Sequence, residues 1–376
     1  MNRLFITLSL ILVLAFNSFS QTIPDRKETL KAMTSVNNYF MKKYADYTTP
    51  SFVRNTMRPS NIWTRGVYYE GLMALYAIYP HEDYYTYAKG WSDYHKWGFR
   101  NGTTTRNADD YCAGQTYIDL YRICPEPERI RKTKATMDML VNTPQNDDWT
   151  WIDAIQMGMP VLAKLGTTLG DTKYYDKMWD MYACSRNQLG GKGLYNPKDC
   201  LWWRDADFVP PYKEPNGEDC YWSRGNGWVY AALVKVLEEI PANETHRADY
   251  INDFLAMSKA LKKCQRPDGF WNVSLHDETN FGGKETTGTA LFIYGMAWGI
   301  NQGILNRAEY LPVITKAWDA IVKEAIHPNG FLGYVQGTGK EPKDGQPVTY
   351  KSVPDFEDYG VGCLLLAGAE MYKLQP

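Results

Sequence analysis

Residues 149–160 read WTWIDAIQMGMP. Asp153 stands among Trp149, Trp151, Ile152, Ala154, Ile155 and Met157, in the first turn of a segment otherwise built for burial. Opposing effects act on an acid there. A helix N-terminus favours the carboxylate by about 0.3–1 kcal/mol. Desolvation between two indoles favours the neutral acid, by several pH units where burial is deep. A second carboxylate, from Asp109 or Asp110, would also hold the proton on. If the last two effects prevail, Asp153 is a carboxylic acid near neutral pH and therefore a proton donor. The plainer alternative is a helix cap, although Thr150 or Asp148 already fits that role.

Other strings offer partners for such an acid. Asp109-Asp110 opens a second helical segment; adjacent acids there are equally well read as caps. They lack the D-D-x-x-D spacing of a magnesium–diphosphate site. The most specific string is WSRGNGW at 222–228. Arg224 in a Gly-rich first turn can hold a carboxylate through two parallel hydrogen bonds. Trp222 and Trp228 could wall a sugar ring, with a Gly-rich helix start and core packing as the alternative. Upstream, LWWRDADF (201–208) offers Arg204 and Asp205. The acids Asp205, Asp207, Glu214, Glu218 and Asp219 form a stretch that could hold calcium; a solvated loop is the simpler reading.

The elements that must position these residues are helical nearly throughout. Six amphipathic segments, 24–44, 82–99, 126–141, 172–187, 245–265 and 307–326, alternate with six that are apolar almost all round: 63–79, 108–123, 151–166, 222–237, 285–300 and 358–372. Helices apolar all round must be buried on both sides, whereas amphipathic ones bury a stripe. Six of each give an all-α fold, an (α/α)6 barrel with inner and outer rings, as one domain over 21–376. Alternating direction brings all six inner N-termini, with Trp63, Asp109, Trp151, Asp153, Trp222, Arg224 and Asp358, to one mouth. The longer connections carry related turns, GGKGLYN, PDGFWNV and PNGFLGY, in which Gly supplies unusual backbone conformations.

Composition bounds the partners. A net charge of −2 over 376 residues gives no electrostatic reason for nucleic acid or an acidic membrane. Flat rings beside polar groups suit sugars, and the chain has 28 Tyr and 13 Trp, most of them expected to fill the core. Residues 1–20 have the pattern of a secretory signal: Arg3, an apolar run over 4–16, and Ser18-Phe19-Ser20 before Gln21. No Cys follows, which argues against a bacterial lipid anchor. No later run is long enough to span a membrane, so an exported soluble protein, periplasmic or secreted, is expected. Of seven Cys, five lie in helical patterns, while Cys200 and Cys220 flank one loop and could pair. The five His show no ligand spacing, so neither a metal nor another cofactor is expected.

Taken together, W-x-D on the third inner helix, W-x-R-G-N-G-W on the fourth and the Asp…Gly-Gln start of the second resemble the unsaturated rhamnogalacturonyl hydrolases, glycoside hydrolase family 105. The related unsaturated glucuronyl hydrolases of family 88 share the arrangement. The resemblance covers essentially the whole chain after the leader. It implies an (α/α)6 barrel that removes a 4,5-unsaturated uronic acid from the non-reducing end of lyase-generated oligosaccharides. Carried over by position, Asp153 is the acid/base and Asp109, by its distance to Gly114, the second acid in preference to Asp110. Trp151, Trp222, Arg224 and Trp228 fall at substrate-contacting positions. The family commonly has a His in the loop before W-x-R-G; this chain has LWWRD, with Arg204 in its place. Three other readings are open: a sugar epimerase or isomerase, for which His on the inner helices is missing; a non-catalytic carbohydrate-binding protein; and a two-carboxylate hydrolase of saturated glycans.

Overall fold

The computed structural model of the chain describes residues 23–54, 56–351 and 358–374. The expected leader, 1–20, lies outside them. Inner helices are α2 (Trp63–Ile78), α4 (Ala108–Tyr111) continued by α5 (Ala113–Ile123), α7 (Asp153–Leu169), α9 (Ser223–Glu239), α11 (Thr286–Asn301) and α13 (Asp358–Lys373). Each packs on the next, and α13 packs on α2, so the ring closes. Outside it lie α1 (Arg26–Lys43), α3 (Glu82–Tyr94), α6 (Glu128–Val141), α8 (Lys173–Asn187), α10 (Arg247–Lys263) and α12 (Arg307–Ala320). The expected (α/α)6 barrel is the architecture found.

Burial follows the two kinds of pattern. Every residue from Thr286 to Ile300 of α11 is buried, as a helix enclosed on all sides requires. In α1 the buried set is Thr29, Ala32, Met33, Val36, Asn37 and Phe40, a single stripe at helical spacing. Crowding of the ring is relieved where α2 meets α13. A Cβ on Gly71 would stand 2.5 Å from the Gly362 carbonyl oxygen, so only glycine lets these backbones meet. A buried polar network also ties four inner helices together. Lys235 pairs with Glu70 and donates to Gln115; Gln156 donates to Glu70 at 3.0 Å.

Several boundaries differ from expectation. Helix α3 stops at Tyr94 rather than 99, because Lys96 and Trp97 take left-handed conformations, with φ of 52° and 53°. The segment 108–123 is two helices meeting at Cys112; tight i→i+3 bonds, Asp110 N to Asn107 O and Gln115 N to Cys112 O, interrupt the regular ladder. The end of α12 widens into a π turn, Ile321–Ala325. Cys200 and Cys220 are both free. The acidic stretch is not a uniformly solvated loop: Glu214 and Asp219 are buried, Glu214 taking bonds from Ser274 and Asn280 and Asp219 pairing with Lys213.

Small strands dress the mouth. β1 (Ser51–Val53) pairs antiparallel with β2 (Thr56–Arg58) between α1 and α2. β3 (Tyr195–Asn196) and β4 (Leu201–Trp202) make a second hairpin before α9.

Candidate active site

A cavity of about 300 Å³ opens at the N-terminal ends of the inner helices. Its walls include Trp63, Asp109, Trp151, Asp153 and Arg204, with Arg54, Arg58, Arg100, Thr338 and Gly339. Five residues singled out by the sequence therefore meet at one place.

Asp153 begins α7, whose N-cap Ile152 gives no side-chain bond. The capping roles considered for Thr150 and Asp148 are not the ones found. Thr150 is exposed and Asp148 is held by Arg106 at 2.7 Å from Nε. Trp149 turns into the core and is fully buried, whereas Trp151 is half-buried and faces the cavity. Asp153 itself is 7% exposed.

Arg204 reaches Asp153 because its loop is bound to the start of α7. Ile152 N donates to Arg204 O at 2.9 Å, and Trp151 bridges Asp205. The guanidinium then sets Nε 3.3 Å from Asp153 Oδ2 and Nη1 2.6 Å from Asp205 Oδ2. Burial pushes the Asp153 carboxyl up, while Arg204 and then Arg224 pull it down; the net direction is up. On the facing helix, burial first and the charge of Asp153 second push Asp109 up to about 7. Two acids that repel each other in a desolvated cup keep a proton on the pair into the neutral range.

Asp110 belongs elsewhere. It is fully buried and takes bonds from Arg100 Nε at 3.0 Å, Asn101 at 2.9 Å and Thr105 at 2.6 Å. Adjacent residues on a helix point about 100° apart, so one acid faces the cavity and the other the fold. Asp110 is therefore not the second carboxylate beside Asp153 that the sequence offered as an alternative to Asp109.

The W-S-R-G-N-G-W string also acts differently from its reading as a sugar clamp. Trp222, Arg224 and Trp228 are buried and none lines the cavity. Arg224 donates from Nη1 to Gln336 O and from Nη2 to Gly337 O, both at 2.9 Å. Trp222 Nε1 donates to Gln336 Oε1 at 2.9 Å. Trp228 packs edge-on against Trp63, which does face the cavity. Arg224 thus holds the strand of chain that delivers Thr338 and Gly339 to the wall. A substrate carboxylate would have to displace two carbonyls to reach it.

Asn226, in the same string, was not singled out by the sequence. Trp202 N donates to its Oδ1 at 2.8 Å, and its Nδ2 donates to Trp202 O at 3.0 Å and Trp222 O at 3.1 Å. It anchors the hairpin that carries Arg204. The signal available was an amide side chain in a buried Gly-rich turn, where only backbone partners are at hand. Arg54, Arg58 and Arg100 were also missed; they lie on segments without helical pattern, where periodicity gives no direction.

An (α/α)6 barrel with paired acids, indole walls and arginines at one mouth has the make-up of a carbohydrate-active enzyme. The profile of Glycosyl Hydrolase Family 88 matches residues 32–375, and the chain belongs to that family. The chain is 30% identical over 335 residues to an unsaturated 3S-rhamnoglycuronyl hydrolase of Formosa agariphila, covering 83% of this chain and 85% of that protein. It is similar to the solved structure of a family 88 glycosyl hydrolase from Bacteroides vulgatus, with 32% identity, a TM-score of 0.84 and coverage of 93% and 99%. A third relative, a solved structure described as a polysaccharide lyase, has 32% identity and a TM-score of 0.83, covering 92% of this chain and 97% of that one.

Proposed function

We propose that the protein removes a 4,5-unsaturated uronic acid from the non-reducing end of oligosaccharides left by a polysaccharide lyase. The observation that carries this reading is the pair Asp153 and Asp109 across a small cavity, both with raised proton affinity. The family and the name of the Formosa agariphila relative support it.

In this reading Asp153 delivers its proton to C4 of the enol-ether double bond. Electron density leaves C5 for C4, and the cation at C5 is stabilised by the ring oxygen. Water attacks C5 while Asp153, now a carboxylate, takes its proton. The C5 hemiketal then opens the ring, leaving a hemiacetal at C1 that expels the aglycone alcohol. Asp109 raises the proton affinity of Asp153 when ionised and orients water when protonated. Arg204, with Nε on Asp153 and Nη1 on Asp205, presents Nη2 to the uronate carboxylate. Trp63 and Trp151 offer apolar faces to the sugar. Arg224 acts beneath the site through the chain it holds, and Trp228 through its packing on Trp63.

A second reading rests on the relative described as a polysaccharide lyase. Elimination needs a base at C5, whereas acids with raised proton affinity suit proton delivery. One assay separates the two, since unsaturated uronides absorb in the ultraviolet. Hydration makes absorbance fall; elimination from an intact polymer makes it rise. Purified protein should bleach lyase-made oligosaccharides, and Asp153→Asn should lower kcat by at least about 10³ with its helical circular dichroism intact. Full activity of that variant excludes the role.

The single catalytic domain over 21–376 and export to the periplasm or medium are part of the same proposal. They are supported by the continuous core and by the leader-like first twenty residues. No helix among the described residues is long and apolar enough to cross a membrane.

A further inference from the structure

The barrel has a second cavity, toward the C-terminal ends of the inner helices. It measures about 370 Å³, all six inner helices contribute to its wall, and no residue lines both it and the candidate active site. The buried network of Lys235, Glu70 and Gln115 forms part of that wall.

Its charges do not balance. Five acids and four bases line it. Every base is taken: Lys235 by Glu70, Lys164 by Asp119, Arg122 by Glu239 at 2.7 Å and Lys373 by Glu370 at 2.5 Å. Glu238 is the acid left over, and it makes no hydrogen bond or ion pair among the described residues. Local structure does not favour it. Glu238 stands in the last turn of α9, where the negative end of the helix dipole repels a carboxylate. Five other inner helices end on the same side and add to that potential. Glu238 is accessible, but the space it looks into is this cavity. Burial first and Glu370 second push its carboxyl up to about 7, against the pull of Lys373 and Lys164.

Tyr294 is a second and independent sign. It lines the same cavity from α11, is 4% exposed, and its hydroxyl has no hydrogen-bond partner among the described residues. A buried phenol without a partner is costly, and a phenylalanine would fill the ring's place without that cost. Of the charges around this hydroxyl, Glu238 acts most strongly.

We propose that this cavity is a second ligand site, which takes a small organic cation: a primary ammonium on a short apolar chain. The ammonium donates to Glu238 and to the Tyr294 oxygen. Met73, Ala74, Ala77, Leu366 and Ala369 receive the chain. One free carboxylate and one phenol suit an ammonium better than a metal ion, which asks for several oxygen ligands. The inference goes beyond the hydrolase reading and does not rest on it.

The test measures binding and not turnover, so its failure leaves the hydrolase reading untouched. Butylammonium, butanol and butyrate differ chiefly in the charge of one end. Each is titrated into the folded protein and followed by ligand-observed NMR. At pH 8 butylammonium should bind with a Kd of about 1 mM, about tenfold tighter than butanol, and butyrate should bind most weakly. Between pH 8 and pH 6 the butylammonium Kd should rise about tenfold, because Glu238 takes up its proton there, while butanol binding stays constant. Glu238→Gln keeps the size and removes the charge, so it should abolish both the preference for the cation and the pH dependence. Tyr294→Phe keeps the ring packing and should weaken butylammonium by about three- to tenfold. Circular dichroism matching wild type shows that each variant is folded. Equal affinity for cation and alcohol, a preference for butyrate, or a preference kept in Glu238→Gln overturns the site. So does the lack of saturable binding by every probe up to about 50 mM. Unchanged butylammonium affinity in Tyr294→Phe overturns the part given to the phenol.

Discussion

Arg204 Nε lies 3.3 Å from Asp153 Oδ2, although 51 positions separate them in the chain. A cation beside a proton donor is a compromise. It lowers the proton affinity of the acid that burial raises. In the proposed reaction the same cation takes the substrate carboxylate. Binding of that carboxylate offsets the positive charge seen by Asp153 and so restores its proton affinity when substrate arrives.

Removing Arg204 should therefore have two separable effects. With the cation gone, Asp153 holds its proton to higher pH, and the alkaline limb of the kcat profile of Arg204→Ala should move up. At the same time KM for the unsaturated uronide should rise by about tenfold, since a charge-assisted contact is lost. Arg204→Lys should restore part of the limb's position but less of KM, because an ammonium lacks the planar fork. An unshifted alkaline limb in Arg204→Ala would separate this guanidinium from the proton donor.

Asp109 gives a prediction on stability. Its folded value is about 7, against 3.8 for the ordinary carboxyl. Below about pH 4 both folded and unfolded chains carry the proton. Between about pH 4 and 7 the unfolded chain gives it up while the folded one keeps it, so stability declines as pH rises. Above 7 the decline is complete. Asp109→Asn is neutral throughout, and at pH 8 it should be more stable than wild type by about 1–3 kcal/mol, allowing for partial exposure. The gap should close by pH 4, and thermal melts at the two pH values measure it. Activity should fall in the same variant, so a variant both more stable at pH 8 and fully active would remove Asp109 from the site.

The barrel was legible because two burial regimes write two kinds of helix: α11 has no polar side and α1 has a clear stripe. Asp153, Asp109, Trp63, Trp151 and Arg204 were legible as types that do not belong in an apolar helix start or that stand where a family motif is altered. For Trp222, Arg224 and Trp228 the sequence left sugar contact and core packing both open, for a definite reason. A string made of Arg, Asn, Gly and Trp states that polar groups will be bonded in a tight place, but not to what. Here the partners are the carbonyls of residues 202, 222, 336 and 337. Those partners lie in segments over the mouth whose approach depends on the whole ring having closed. Arg54 and Arg58 were invisible for a similar reason: a three-residue strand has too short a period to show which way it faces.

Asp110 should behave as part of the fold. Its carboxyl receives Arg100, Asn101 and Thr105. Asp110→Ala removes three hydrogen bonds from a buried carboxyl, one of them to the half-buried Arg100, and should destabilise by about 1–3 kcal/mol. Whatever active protein remains should keep the wild-type pH profile. A displaced profile without loss of stability would return Asp110 to the chemistry.

Asn226 and Arg204 should act as one unit. Asn226 fixes both backbone polar groups of Trp202, and Trp202 leads directly into the loop that carries Arg204. Asn226→Ala leaves those groups buried without partners, at about 1–3 kcal/mol each, and the loop can relieve this only by moving. Arg204 then leaves Asp153. The alkaline limb of Asn226→Ala should shift up in the direction seen for Arg204→Ala, though no atom of Asn226 lines the cavity. In a double-mutant cycle on kcat/KM, the second substitution should add little to the first, giving a coupling near the full effect of one. Simple additivity would mean that Asn226 stabilises the barrel without positioning the arginine.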